Sequence, residues 1–244
     1  MQQLRIENQR GFTLPELVLV IIIIGIISAV AYREMGSQIE TAKFEQTIAE
    51  MEQLSYAIAG NPSLYEKGSR SDFGYIGDVG ALPPNLDALI SNPGLSTWNG
   101  PYISSNVSDN SYKKDGWDSY YTYSDTLLRS TGSGSNIDRV IASSSAELLN
   151  NSLSGYIVDA DNSSPGTKKD SLQIRLIYPN GSGGYTTSTK YPSADGSFSF
   201  SSLPIGHHTI ELIYLSQPDT TSLMVTINQG KDESLHLVYP ADIF

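Results

Sequence analysis

Residues 11–30 read GFTLPELVLVIIIIGIISAV. From Leu17 to Val30 there is no charge, and Ala31-Tyr32 extend the run to Arg33. At about 1.5 Å of rise per residue, a helix over residues 12–32 covers roughly 30 Å, the hydrocarbon thickness of a bilayer. Such a run satisfies its backbone in lipid only as a helix, so it is expected to be transmembrane. Glu16 is the exception in this stretch. A carboxylate near the start of a spanning helix costs a few kcal/mol if it enters the core unpaired, so it needs a partner. Phe12 lies one helical turn before it, and a free amine there would be one candidate. Glu16 lying in the headgroup layer is the plainer reading.

Towards the N-terminus, the run is preceded by a short leader, Met1 to Arg10, carrying Arg5 and Arg10 against Glu7. A secretory signal peptide places its small-residue cleavage site after the apolar core. Here the small residue, Gly11, lies before it. The charge bias of the leader keeps it inside the cell and the remainder outside.

Gly11-Phe12-Thr13-Leu14-Pro15-Glu16 followed by the aliphatic run resembles the type IV pilin and pseudopilin signature, the substrate of prepilin peptidase. The resemblance implies removal of a leader peptide, residues 1–11, by cleavage between Gly11 and Phe12, and N-methylation of Phe12. It also implies an assembly role for Glu16, pairing with the N-terminal amine of a neighbouring subunit. That pairing would relieve the cost of burying a lone charge. The partners it implies are further copies in a homo-oligomeric filament, the peptidase, and an inner-membrane assembly platform. The chain would be single-pass in the bacterial cytoplasmic membrane, with its C-terminal domains in the periplasm or outside. The plainer alternative is an ordinary uncleaved signal anchor.

The 244 residues carry a formal net charge of −11 and no cysteine. The first argues against nucleic-acid binding, which wants a basic footprint. The second rules out a disulfide framework and a thiolate metal site.

Residues 33–59 continue the helix into water. Phe44, Ile48, Met51, Ser55 and Ile58 recur at helical spacing among charged residues, a stripe for a head to pack on. Gly60-Asn61-Pro62 ends the helix. Tyr75 to Gly80 reads as loop. Asn85 caps a short helix carrying Leu86, Leu89 and Ile90, and the aromatic stretch Asp115 to Tyr123 reads as a strand. This order resembles the major pseudopilins of type II secretion, with a D-P-W-G-x-P-Y-x-Y-like strand in which Gly116 and Asp118 depart from the pattern. The aromatics read as core. Those pseudopilins often hold a structural calcium in the following loop. Residues 130–138 offer one carboxylate, Asp138, with Asp125 upstream, a thin set for an ion wanting six to eight oxygens. No metal, cofactor or catalytic residue is therefore assigned.

Residues 142–152, ASSSAELLNNS, read as a linker. Beyond it the period changes to two. Strands are expected at 153–160, 172–178, 197–201, 209–215, 223–227 and 235–239, separated by turns such as Asp195-Gly196. Six or seven short strands make an antiparallel β-sandwich over 153–244. Gly155, Asp159, Asp195, Gly196, Phe198, Phe200, Leu203, Pro204 and Gly206 resemble the pattern of carboxypeptidase-regulatory-like, transthyretin-type domains, with His208 at the usual aromatic. His207 and His208 point to opposite faces of a strand and cannot chelate one metal together.

The expected fold class is α+β: a long N-terminal helix, a small α+β head over 33–141, and an all-β antiparallel sandwich. The expected role is a structural subunit of a type IV pilin-like filament, most like the major pseudopilin of type II secretion. The alternatives are a minor type IV pilin with a C-terminal adhesin domain and a membrane-anchored binding protein that does not polymerise. No constellation supports an enzyme.

Overall fold

The computed structural model describes residues 11–104, 110–216 and 219–244. The leader, residues 1–10 with Arg5 and Arg10, lies outside them. The chain forms two units, one ending at Glu45 and one spanning Gln46–Phe244.

The elements, in chain order, are α1 (Leu14–Ala59), β1 (Tyr65–Glu66), β2 (Ser69–Arg70), α2 (Gly74–Val79), two 3-10 turns (Leu86–Leu89 and Ser111–Lys113), β3 (Thr122–Ser124), β4 (Leu127–Ser130), β5 (Ile137–Val140) and α3 (Ser145–Leu149). Then follow β6 (Asn151–Val158), a third 3-10 turn (Gly166–Ser171), β7 (Leu172–Pro179), β8 (Tyr185–Lys190), β9 (Ser197–Leu203), β10 (Gly206–Tyr214), β11 (Asp219–Ile227) and β12 (Asp232–Val238). The result is mixed α+β, with a long apolar helix followed by a sandwich-like domain.

In the first unit α1 is apolar and uncovered: every side chain from Leu14 to Val30 is exposed, and the helix is long and apolar enough to cross a membrane. In the second unit its last turns bury Thr47, Met51, Leu54, Ser55 and Ile58. Phe44 and Ile48, expected on the same stripe, stay largely exposed. The buried face begins only at Thr47, whose hydroxyl accepts the Gly116 N–H at 3.0 Å. Gly60, at φ +79°, ends the helix in the left-handed region. The buried Arg70 guanidinium then donates to the carbonyls of Ala59, Gly60 (3.0 Å) and Asp72 (2.8 Å). A cation on otherwise orphaned helix-end carbonyls is favoured by hydrogen bonding and by the helix dipole.

Around that helix end, Tyr75, Ile76 and Val79 of α2, Leu86, Leu89, Leu128, Leu148 and Ile205 form the first core. Each fully buried aliphatic side chain contributes about 1.5–3 kcal/mol. Residues 75–79 of the stretch expected as loop are therefore helical, with Gly80 as the left-handed cap: the gain from burying Tyr75, Ile76 and Val79 outweighs the poor helix propensity of Gly77 and Asp78. Gly77 is required for another reason: a Cβ there would lie 2.4 Å from the Phe73 Cβ. Gly206 packs close by, where a Cβ would lie 3.2 Å from the Gly77 Cα.

Of the stretch expected as one strand, Thr122 and Tyr123 join a sheet by pairing with β4, and Tyr120 makes an isolated bridge to Lys114. Upstream, Asp115 is buried and folds the chain around its carboxylate. It accepts from the backbone N–H groups of Trp117 (2.9 Å), Ser119 (2.9 Å) and Gly132 (3.1 Å) and from the Ser130 hydroxyl. Burial alone would raise its pKa, but these donors outweigh burial and hold it below the usual carboxylate range.

The sandwich has a four-stranded sheet, β11-β10-β7-β8, and a three-stranded sheet, β12-β6-β9. All neighbours are antiparallel except β12 and β6, which run parallel. β8 was not legible as a strand. Its residues, YTTSTK, lie at a sheet edge and are mostly exposed, so no hydrophobic alternation marks them. Leu153 and Ile157 of β6, Leu172, Ile174 and Leu176 of β7, Phe198 and Phe200 of β9, and Ile210 and Leu212 of β10 fill the space between the sheets.

Residues 142–152 are not a free linker. They hold α3 and the start of β6, with Leu148 fully buried. The Ile205 N–H donates to the Leu148 carbonyl at 2.9 Å, and the Gly181 N–H to that of Val79 at 2.8 Å. Polar side chains interspersed with Leu148 made this stretch resemble a spacer, whereas one leucine decides its packing. Leu148→Ala should cost about 2–5 kcal/mol in chemical unfolding. A spacer residue would move the midpoint by little.

His208 is buried on β10, its Nε2–H donating to the Pro204 carbonyl at 2.8 Å while Nδ1 has no partner. Desolvation lowers its pKa below the usual 6.5, and the Pro204 bond offsets this only in part. The unfolded chain therefore takes up the proton first. Stability contributed by this site is unchanged above pH about 6.5 and falls below it, by up to about 1.4 kcal/mol per pH unit. Urea unfolding between pH 7.5 and 5 should show this slope, and His208→Phe should flatten it.

Candidate processing and assembly site

Gly11, Phe12 and Thr13 precede the first helical residue, Leu14. The Leu17 N–H closes the first turn on the Thr13 carbonyl at 3.1 Å, which makes Thr13 the N-cap. Pro15 falls within the first turn, where its missing N–H leaves nothing unpaired. The Gly11–Phe12 peptide bond thus lies in exposed, non-helical chain directly before an apolar helix, and Phe12 is 83% exposed. Such a bond can enter a protease cleft without any helix being unwound.

Glu16 turns back onto the cap. Its Oε2 accepts the Thr13 N–H at 2.8 Å and the Thr13 hydroxyl at 2.7 Å. This is the reach-back half of a capping box, the S/T-x-x-E pattern in which the third helical residue satisfies the N-cap amide. The spelling T-L-P-E carries that signal, which a reading centred on the charge overlooks. Oε1 has no hydrogen bond among the described residues, so one oxygen stays available to a cation. The arrangement brings Glu16 to Thr13, and the helix start and the acid become one unit.

Of the two carboxylates weighed for calcium, Asp138 accepts two hydrogen bonds from Arg129, at 2.6 and 2.7 Å, so its charge is already balanced, and Asp125 lies exposed. Elsewhere, Asp159, Asp161 and Asp242 bring carboxylate oxygens within 4.8 Å of one another. The buried Asp159 is committed to the backbone N–H groups of Ser163 (2.9 Å), Ile243 (3.2 Å) and Phe244 (2.8 Å), tying the C-terminal residues to the β6 end. His207 and His208 lie on opposite faces of β10, one exposed and one buried.

Residues 7–32 match the prokaryotic N-terminal methylation motif. That match spans the end of the leader, Gly11, Phe12, Glu16 and the apolar run. Among curated proteins none matches the chain. Two of the solved structures that align over parts of it follow. One is the dioxygenase domain of a dioxygenase carbohydrate-binding protein fusion from Streptomyces sp. SirexAA-E, at 11% identity and TM-score 0.31, covering 41% of this chain and 86% of that one. The other is a Streptococcal ancillary pilin, at 12% identity and TM-score 0.27, covering 49% of this chain and 44% of that one. Neither overlap is close enough to bear on the role of this chain.

If Glu16 caps the helix, Glu16→Gln, which keeps an acceptor oxygen, should leave amide exchange at Thr13–Leu17 near wild type in detergent micelles. Glu16→Ala should speed it several-fold, as read by hydrogen–deuterium exchange.

Proposed function

We propose that this protein is a structural subunit of a type IV pilin-like filament, held in the cytoplasmic membrane before assembly and most like a major pseudopilin of type II secretion. The observation that carries the reading is the methylation motif over residues 7–32 continuing into an apolar helix whose side chains have no cover of their own. A helix of that kind is stable in lipid, and equally stable against the same face of its neighbours. Prepilin peptidase would cut between Gly11 and Phe12 and methylate Phe12, leaving the cap at Thr13 intact. The free oxygen of Glu16 would then meet the Phe12 amine of an adjacent copy. Transfer from lipid to bundle would be favoured only in the register where that charge is paired, so Glu16 would set the register and not act in catalysis. An inner-membrane assembly platform would supply the extraction step. The head and sandwich would be presented outside the membrane, and nothing in this role asks for enzymatic chemistry.

The test is the intact mass and N-terminal sequence of membrane-extracted protein. The expected chain begins at Phe12 with one added methyl. Glu16→Gln should be processed normally yet leave sheared filaments reduced at least tenfold. A chain still beginning at Met1 in cells with active prepilin peptidase would overturn the reading and leave a membrane-anchored binding protein.

A further inference from the structure

The four-stranded sheet of the sandwich ends in β11 on one side and β8 on the other. Among the described residues, the outward N–H and C=O groups of these two strands make no hydrogen bond. Folded proteins usually protect such edges with charge, proline, bulges or short length. β11 is as long as β10, its inner neighbour, and from Thr220 to Ile227 has no charge and no proline. β8 has a single charge, Lys190 at its end. Met224 on β11 and Tyr185 on β8 are 76% and 67% exposed.

We propose that these two edges pair with each other between copies, β8 of one chain adding to β11 of the next. Three features favour a second copy over an unrelated strand. The sheet has four strands and alternates throughout, so β8 and β11 are themselves antiparallel. A copy displaced along the sheet therefore presents β11 antiparallel to β8, and the alternation continues across the junction.

The second feature is register. Residues 219–224 laid against residues 190–185 put Met224 opposite Tyr185, Leu223 opposite Thr186, Ser222 opposite Thr187 and Thr220 opposite Thr189. Facing is preserved in this register. Leu223 and Thr221 share a face with the buried Ile210 and Leu212 through β10, and Thr186 and Ser188 share it with Tyr178 and Leu176 through β7. Met224 and Tyr185 both lie on the opposite face, where they would cover each other in a sulfur–aromatic contact.

The third feature is where the open edge stops. Tyr65, Gly68 and Ser69 of the β1–β2 hairpin line a groove with Met224, Val225 and Thr226. The chain's own hairpin thus flanks β11 from Met224 onwards, and the register ends at Met224, where that flanking begins. The contact is head-to-tail, because each copy donates a different edge, and it propagates from copy to copy or closes a ring. It needs only a neighbouring copy in the same membrane and does not depend on the helix bundle of the filament reading.

The chain has no cysteine, which makes crosslinking a clean test. Full-length protein in membranes would carry Met224→Cys with Tyr185→Cys, or Leu223→Cys with Thr186→Cys, and be oxidised. Directly opposed antiparallel pairs alternate between close and wider spacing, so one of these two sits at the spacing a disulfide needs. The expected result is a ladder of dimers and higher multimers from at least one pair. Thr220→Cys with Tyr185→Cys, off register on the same face, should give none. In the unsubstituted protein, amides of β8 and β11 should exchange more slowly in membranes than after dispersal to monomers. No ladder from either pair, equal linking off register, or dimers from Met224→Cys alone would overturn the proposal. Filament yield, measured by shearing in parallel, separates the two readings. Filaments without ladders defeat the edge pairing alone, and ladders without filaments defeat the filament reading alone.

Discussion

The hydrogen bond from the Ile205 N–H to the Leu148 carbonyl, with both side chains fully buried in the same core, unites what would otherwise be a head and an appendage. Leu148 belongs to α3, just before the sandwich begins, while Ile205 sits between β9 and β10 inside the sandwich sequence. One core therefore draws on both the head and the sandwich sequence. The glycine contact between α2 and β10 follows from it: once Ile205 is drawn into the head core, Gly206 is carried against Gly77, and a Cβ on Gly206 would lie 3.2 Å from the Gly77 Cα. The polar bonds at the same seam, such as Gln229 to Glu147 at 3.1 Å, satisfy groups that this approach takes out of water. The sandwich is thus presented in a fixed relation to the head, and its edges have a defined direction.

The N-terminal helix is governed by a different constraint. The side chains of its apolar run, Leu14 to Val30, have no partner within the chain, and the one acid of that run, Glu16, cannot stay unpaired in lipid without cost. Capping Thr13 answers part of that cost locally, because two hydrogen bonds accept part of the charge on one oxygen. The other oxygen still requires a cation or water. A segment left incomplete in this way is stable at a membrane boundary or beside another copy, and the two edges of the four-stranded sheet have the same character. In both places groups that are obligatory hydrogen-bonders or strongly apolar are left for something outside the chain.

Local patterns in the sequence carried most of the fold. The aliphatic run, the Asn85 cap, whose side chain accepts from the Asp87 and Ala88 N–H groups, and the alternation of Phe198 and Phe200 are each readable within a few residues. The misreadings have a common cause. Residues 75–80 and 142–152 are short and rich in glycine, serine or asparagine, and their structure depends on Ile76, Val79 and Leu148 meeting partners far along the chain. β8 shows no alternation because neither of its faces is deeply buried. The Arg70 cap on the α1 end joins residues 10 and 11 positions apart, a distance at which no periodic signal operates.

By itself, the sequence determined the membrane-compatible helix, the motif at Gly11, Phe12 and Glu16, and the presence of a β-rich C-terminal domain. Each of these rests on short-range chemistry: a continuous apolar run, a small residue before it, and a period of two. Only the tertiary structure decided that Glu16 turns back onto Thr13, that β12 joins β6 in parallel, and that the head and sandwich share a core. It also decided which strands were left at the sheet edges. These depend on which surfaces meet once the chain has closed, and that is set by the packing of distant side chains and the pairing of backbone groups, not by any local pattern.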